Sequence, residues 1–202
     1  MTARPLVFAL VWTATQTLAD EPAPPPPNYL EVRAGFSDAG LYRYAEYARP
    51  LAGPVVFDAV YLGLAGGNEL YVGAGYALKP TPTLTVTPLV YGVVGSEDGE
   101  RGVALGLGVL GSVADWSVYT FIGYFEPLAG DVARYLFVDT LDVSRKLGRW
   151  EVGGSAGVFA TGGACTCVAG PLLVRNDRLG AWRASLRAGS MLEVRLARTF
   201  AF

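Results

Sequence analysis

The chain has 202 residues, which is the size of a single domain, and 51% of them are hydrophobic while only 17% are charged. That charged fraction is low for a protein whose whole surface faces water. No segment reaches the roughly 20 consecutive apolar residues that a transmembrane helix needs. The least polar long stretch, residues 103–114, is short and is interrupted by glycines. The hydrophobicity must therefore be distributed over many short segments.

Residues 1–19 have the pattern of a cleaved secretory signal peptide. Arg4 supplies the positive charge, residues 6–12 are apolar, and residues 17–19 offer a small-residue cleavage site. A short first core strand or helix is the alternative interpretation. Cleavage after Ala19 would remove one basic residue of 16 and no acidic one, leaving 15 against 18 and a net charge of −3. The sequence thus predicts an exported chain without a basic patch for nucleic acid.

Residues 20–28 are expected to form a proline-rich periplasmic linker. Pro22 and the run Pro24–Pro27 have fixed φ angles and lack backbone N–H groups, which favours an extended tether. The remaining segment, residues 29–202, is expected to be the folded domain.

From Tyr29 to Phe202, apolar residues alternate with small or polar ones, most clearly over residues 70–78, 103–109 and 192–196. This period of two is that of a β-strand with two different faces. Turn residues separate the segments at eleven places, and the longest of these connections is Thr161–Gly170. The sequence therefore predicts about twelve antiparallel strands, with ten strands and longer loops as the alternative.

Three tryptophans, Trp116, Trp150 and Trp182, each follow a turn and begin a strand of the same direction. Parity places them on the apolar face. Such a row at one strand end is typical of the membrane-interface belt of a β-barrel. Core tryptophans of a soluble β-sandwich are the alternative. Together with export and low charge, the row predicts an all-β fold, a transmembrane antiparallel up-and-down β-barrel whose apolar face contacts lipid.

The last strand ends in an aromatic residue. Phe200 and Phe202 continue the alternate apolar positions of Val194 and Leu196, and this pattern resembles the terminal strand of bacterial outer-membrane β-barrel proteins of the small, porin-like class. The resemblance implies a location in the outer membrane of a Gram-negative bacterium. It also implies outer-membrane lipid and the barrel-assembly machinery as partners, with Phe200 and Phe202 as the C-terminal assembly signal. Arg198 departs from the pattern because parity points it toward lipid, where it could reach the interface.

The residue types argue against enzymatic, haem or metal chemistry. The chain contains no histidine, the residue that the outer-membrane barrel enzymes use, and it has neither a paired acid motif nor a nucleophile elbow. Cys165 and Cys167 lie in the predicted extracellular loop Thr161–Gly170 and form a candidate disulfide; a metal site is the alternative, although two thiolates fall short of four ligands. We expect no catalytic residue, no metal and no cofactor.

Charged residues on the inner face are the candidate functional residues. Parity predicts that five arginines and two glutamates line the lumen and set its selectivity: Arg33, Arg175, Arg183, Arg187, Arg195, Glu31 and Glu193. They could form a charge ladder along a water-filled pore, or a network of ion pairs that fills the interior.

Glycines and other small residues on the inner face would leave room for solutes. The leading prediction is therefore a narrow passive channel for small polar or anionic solutes. Its rival is a structural or adhesion-type barrel with a plugged, ion-paired lumen and no transport. The sequence leaves the oligomeric state open.

Overall fold

The computed structural model describes residues 28–96 and 99–202, so the predicted signal peptide and all of the linker except Asn28 lie outside the described residues. None of the described residues belongs to a helix that is long and apolar enough to cross a membrane. The structure consists of these β-segments: β1 (Tyr29–Ser37), β2 (Gly40–Pro50), β3 (Val55–Gly63), β4 (Asn68–Tyr76), β5 (Leu78–Thr81), β6 (Leu84–Gly95), β7 (Arg101–Val113), β8 (Trp116–Ala129), β9 (Tyr135–Leu147), β10 (Trp150–Thr161), β11 (Ala164–Asp177), β12 (Gly180–Gly189) and β13 (Leu192–Ala201).

The segments form one closed antiparallel sheet. Consecutive segments are neighbours except β4 and β5, which both pair with β6, and β1 pairs with β13. Because β4 and β5 occupy the same place in the wall, the thirteen segments make twelve barrel strands. The predicted twelve-stranded, up-and-down antiparallel barrel is confirmed.

The break between β4 and β5 lies opposite Pro88. This proline pairs in register with Leu107 of β7. On its other side the ladder stops at the pair Gly75–Leu89 and resumes at Leu78–Val86. A proline has no N–H to donate to a neighbouring strand, so one wall strand is divided in two.

The connection between β10 and β11 corrects the predicted loop Thr161–Gly170. Only Gly162 and Gly163 separate the two strands, with φ angles of 52° and 92° that suit a two-residue hairpin turn. Gly170 lies inside β11, where a Cβ atom would meet the Leu186 carbonyl oxygen at 2.0 Å. This glycine thus permits a close approach of β12 and does not mark a turn.

The two ends of the barrel can be named from the chain termini. Asn28 and Phe202 exchange two backbone hydrogen bonds of 2.8 and 3.0 Å where β1 meets β13. We call this end the terminal rim and the other end the opposite rim. Along each strand, side chains point alternately into the lumen and outward, and many large apolar side chains are exposed on the outer face.

Candidate functional site in the lumen

Seven charged side chains meet across the middle of the lumen. We call them the cross-lumen network: Glu31, Arg33, Asp139, Arg183, Arg187, Glu193 and Arg195. They project from β1, β9, β12 and β13. Because β9 lies on the far wall from β1 and β13 in the closed sheet, ion pairs to Asp139 cross the interior.

Asp139 is the centre of this network. Its Oδ2 lies 2.5 Å from Nη1 of Arg33, and its Oδ1 lies 3.3 Å from Nη2 of Arg195. Arg187 and Arg195 both donate to the Asp139 backbone carbonyl, at 3.3 and 3.1 Å. One residue of β9 thereby binds one arginine from each of β1, β12 and β13.

Two further carboxylates complete the pairing. Glu31 accepts hydrogen bonds from Nε and Nη2 of Arg33, at 2.8 and 2.5 Å. Glu193 accepts from Arg187, from Nε of Arg195 at 3.2 Å and from the Tyr42 hydroxyl at 2.7 Å. The side chain of Arg187 is fully enclosed, with 1% of the residue exposed. A charge buried to this extent is tolerated only with close partners.

Asp139 was not among the residues predicted from the sequence, and its position explains why. Counted from the inward Tyr135 and Phe137, the alternation on β9 would turn Asp139 inward, whereas counted from the buried Thr140 and Asp142 it would turn Asp139 outward. The register with both neighbouring strands shifts beside Asp139. A β-bulge of this kind redirects one side chain, and period-two reasoning cannot locate it.

The structure brings six of the seven predicted lumen residues together in the network, the exception being Arg175. That arginine lies on the outer face, with its guanidinium 5.6 Å from the Trp150 ring centroid. The prediction that Arg175 lines the lumen is therefore corrected. The inward residues in the middle of β11 include Val168, Leu172 and Val174, all apolar and buried. Because apolar residues occur on both faces of this strand, the sequence does not indicate which face points into the lumen.

An aromatic cup lies between the network and the opposite rim. It is a cavity of about 310 Å³ with the network residues Asp139, Arg187, Glu193 and Arg195 at its floor. Seven aromatic side chains line it: Tyr44, Tyr71, Tyr91, Phe121, Tyr135, Phe137 and Phe159. The hydroxyl oxygens of Tyr71 and Tyr135, from opposite walls, are 2.6 Å apart.

Inner-face glycines accommodate these rings. A Cβ atom at Gly123 would lie 2.2 Å from Cζ of Phe137, and one at Gly73 would lie 2.7 Å from the Tyr91 ring. The space that the sequence assigned to solute is therefore partly filled by aromatic side chains from the next strand.

Below the network, toward the terminal rim, the interior is polar and tightly filled. Ser144 and Asn176 donate to Glu151 at 2.6 and 2.9 Å, and the cavity beside Glu31 and Arg183 measures only about 20 Å³. Arg195 lines both this cavity and the aromatic cup. The network thus lies between a half of the interior with a large cavity and a half with a small one.

The predicted membrane-interface residues lie on the outer face near the terminal rim. Trp116, Trp150 and Trp182 are 49%, 42% and 44% exposed. Arg198 points outward as parity requires, but it is only 6% exposed because it lies over the Trp182 and Phe200 rings. Two hydrogen bonds of 2.9 Å join it to Asp177. The contact of this belt with the bilayer surface stays a prediction.

The remaining predicted residues lie at the two ends of the wall. Phe202 is exposed beside the β1–β13 seam, and its role with Phe200 in assembly stays a prediction. Cys165 and Cys167 lie in β11 and not in a loop, and both are exposed. Their sulfur atoms are 3.4 Å apart and are not joined by a disulfide bond.

Comparison with known proteins places this architecture. No protein-family model and no curated protein matches the sequence. Among solved structures, the KdgM porin superposes with a TM-score of 0.63 at 13% identity, covering 86% of this chain and 99% of that one. The NanC porin gives 0.60 at 12% identity with the same coverage. Omp33, an outer membrane protein of Acinetobacter baumannii, gives 0.51 at 14% identity, covering 88% and 99%.

These likenesses agree with the closed barrel, with the outward-facing apolar surface and with the expected location in the outer membrane. They concern the fold, and the absence of enzymatic activity stays a prediction. The chain has the fold of the small outer-membrane porins.

Proposed function

We propose that the barrel is a narrow passive channel for small polar or anionic solutes, with the cross-lumen network as its selectivity constriction. The observation that carries this proposal is the ion pairing of Asp139 with Arg33 and Arg195 across the lumen. Charged groups at the narrowest point of a pore decide which solutes pass.

The composition of the constriction supports a channel over a purely structural interior. Replacing buried ion pairs with packed apolar residues is often neutral or stabilising, so an interior selected only for rigidity would need no such network. The open cup above the constriction provides an entrance of about 310 Å³. A related fold occurs in the KdgM porin, whose structure has been solved in complex with disordered oligogalacturonate.

A structural barrel without transport is the second candidate function. It is favoured by the small cavity of about 20 Å³ on the terminal side of the network, because the ion pairs leave no wide path there. The two candidates differ in whether the network can part to admit a solute.

Ion conductance of the purified protein in planar bilayers tests the proposal. We expect a small wild-type conductance, and we expect Asp139→Asn to raise it several-fold. The amide is isosteric but removes the charge that holds Arg33 and Arg195 across the lumen. A potassium chloride gradient should give a reversal potential shifted toward anion preference, since the variant loses one negative charge at the constriction.

Glu126→Gln is the matched control, because Glu126 pairs with Arg134 at 3.5 Å between two exposed side chains near the opposite rim. It should leave conductance and reversal potential unchanged. Heat-dependent mobility in gels reports whether each barrel is folded. Folded wild-type and Asp139→Asn barrels that both fail to conduct would contradict the channel and leave the structural barrel.

A further inference from the structure

The outer face near the terminal rim carries a regular pattern that the lumen does not explain. Across β8 to β13, tryptophan and arginine alternate from strand to strand. We call these six residues the Trp–Arg collar: Trp116, Arg145, Trp150, Arg175, Trp182 and Arg198. Direct cross-strand pairs join Trp116 to Arg145, Trp150 to Arg175, Arg175 to Trp182, and Trp182 to Arg198.

The three arginines of the collar differ in their partners. Arg198 is held by Asp177 in two hydrogen bonds of 2.9 Å. Arg145 has Asp115 at 4.0 Å, and both side chains are more than half exposed. Arg175 makes no ion pair among the described residues, and its contact is with the Trp150 ring at 5.6 Å. Asp177 is the carboxylate nearest to Arg175 along β11. Because Asp177 binds Arg198, it is not the ion-pair partner of Arg175.

Arg175 therefore presents a free guanidinium between two exposed indole rings. An apolar surface continues from it toward the middle of the barrel through Leu173 and Val152. The adjoining turns and strand ends add more positive charge than negative, with Lys146, Arg149 and Arg178 in addition to the collar arginines, against Asp115 and Asp177.

These features fit one kind of ligand. A guanidinium binds phosphate through its planar fork of N–H groups, and indole rings prefer the headgroup level of a bilayer. Apolar side chains beside them suit acyl chains. Basic residues at this depth are attracted to anionic lipids.

We propose that Arg175, flanked by Trp150 and Trp182, binds the phosphate of an anionic phospholipid in the membrane leaflet at the terminal rim. The site is distinct from the lumen. It depends on the barrel lying in a bilayer but not on whether the barrel conducts.

Native mass spectrometry of the full chain in detergent, with equal amounts of phosphatidylglycerol and phosphatidylcholine, tests this site. We expect the wild-type barrel to retain phosphatidylglycerol preferentially, and we expect Arg175→Gln to weaken that preference by about fivefold. Arg175→Lys should lose less, because it keeps the charge but not the fork, and it provides a second variant if the glutamine barrel fails to fold.

Arg43→Gln is the matched control. Arg43 is also exposed on the outer face, but near the opposite rim, so its replacement should leave the lipid preference unchanged. Inorganic phosphate at millimolar concentration distinguishes between a lipid phosphate and a free phosphate ion as the ligand of Arg175. Displacement of the lipid by phosphate would indicate a free-anion site and overturn the lipid assignment.

Equal lipid preference in wild type and both Arg175 variants would also overturn the proposal, as would an equal loss in Arg43→Gln. Conductance of the same Arg175 variants, measured in parallel, distinguishes the two proposals. The lipid site can fail while the channel remains, and the channel can fail while lipid binding remains.

Discussion

Strands β11 to β13 carry arginines on both faces of one wall, and the two faces hold the same side chain in different ways. On the inner face, Arg187 and Arg195 are enclosed and bound to carboxylates. On the outer face, Arg175 and Arg198 lie against aromatic rings. Inside the barrel the positive charge is neutralised by partners of the same chain, whereas outside Arg175 is left for a ligand from the surroundings. Of these two outer arginines, Arg198 keeps Asp177 as its partner, so the carboxylates within reach, and not the face alone, decide how each arginine is held.

The largest expected effect follows from removing an inner arginine. Arg187→Met leaves Glu193 buried with one cation fewer, and loss of one partner of a buried ion pair costs about 3 kcal/mol or more. Glu193 keeps Arg195 and Tyr42, which holds the expected loss near the lower value. Arg175→Gln on the outer face should change the free energy of unfolding by less than about 1 kcal/mol.

Urea unfolding of both variants in the same lipid vesicles measures this difference. If the two substitutions destabilised the barrel equally, the distinction between an enclosed inner network and a solvent- and lipid-accessible outer collar would be wrong.

Two adjacent glycines of β10 sharpen the comparison at the level of the backbone. A Cβ atom at Gly153, on the inner face, would lie 1.9 Å from the Val143 carbonyl oxygen. At Gly154, on the outer face, the nearest atom would be the Gly170 carbonyl oxygen at 3.8 Å. We expect Gly153→Ala to destabilise the barrel by about 1 to 3 kcal/mol through overpacking.

Gly154→Ala should be neutral or stabilising by up to about 1 kcal/mol, because alanine restricts the unfolded chain and meets open space in the folded one. The same urea titration measures both variants. If Gly154→Ala destabilised the barrel as much as Gly153→Ala, the backbone would not be more closely packed on the inner face of β10 than on the outer face.

The alternating pattern predicted the barrel because it reports the two faces of each strand directly. On β13, apolar Val194 and Leu196 alternate with Glu193 and Arg195, and the structure places the charged pair inside. The strand count was equally accessible, since most turns carry glycine or proline. The prediction failed for Thr161–Gly170, where Gly170 serves a close approach between strands and only Gly162–Gly163 forms the turn.

The site was predicted in its members but not in its arrangement. Six charged residues of the lumen follow from parity, but their partner Asp139 lies at a bulge that shifts the register. Arg175 was assigned to the wrong face because its strand is apolar on both. The aromatic cup was missed because a glycine in one strand and a ring in the next fit together only in the folded sheet. Cross-strand packing of this kind has no signature within a single segment.

The smallest expected effect concerns the outer tryptophans. Trp116, Trp150 and Trp182 occupy equivalent positions at the starts of β8, β10 and β12, so we expect them to lie at one depth in a bilayer. Barrels that lack residues 1–19, and therefore Trp12, and that retain one of these three tryptophans with the other two replaced by phenylalanine can be refolded into vesicles of lipids brominated at shallow or deep acyl positions. Shallow bromines should quench each tryptophan more strongly than deep ones, because indole rings prefer the headgroup level.

The three quenching ratios should agree closely, since the residues share one face and one rim. A tryptophan that is quenched best by deep bromines would lie deeper in the bilayer than the other two. It would then not belong to the Trp–Arg collar. If lipid bromines quenched none of the three, the outer face at the collar would not contact the bilayer. The inner network would then be the only functional surface of these strands, and the free guanidinium of Arg175 would need a partner from water instead of lipid.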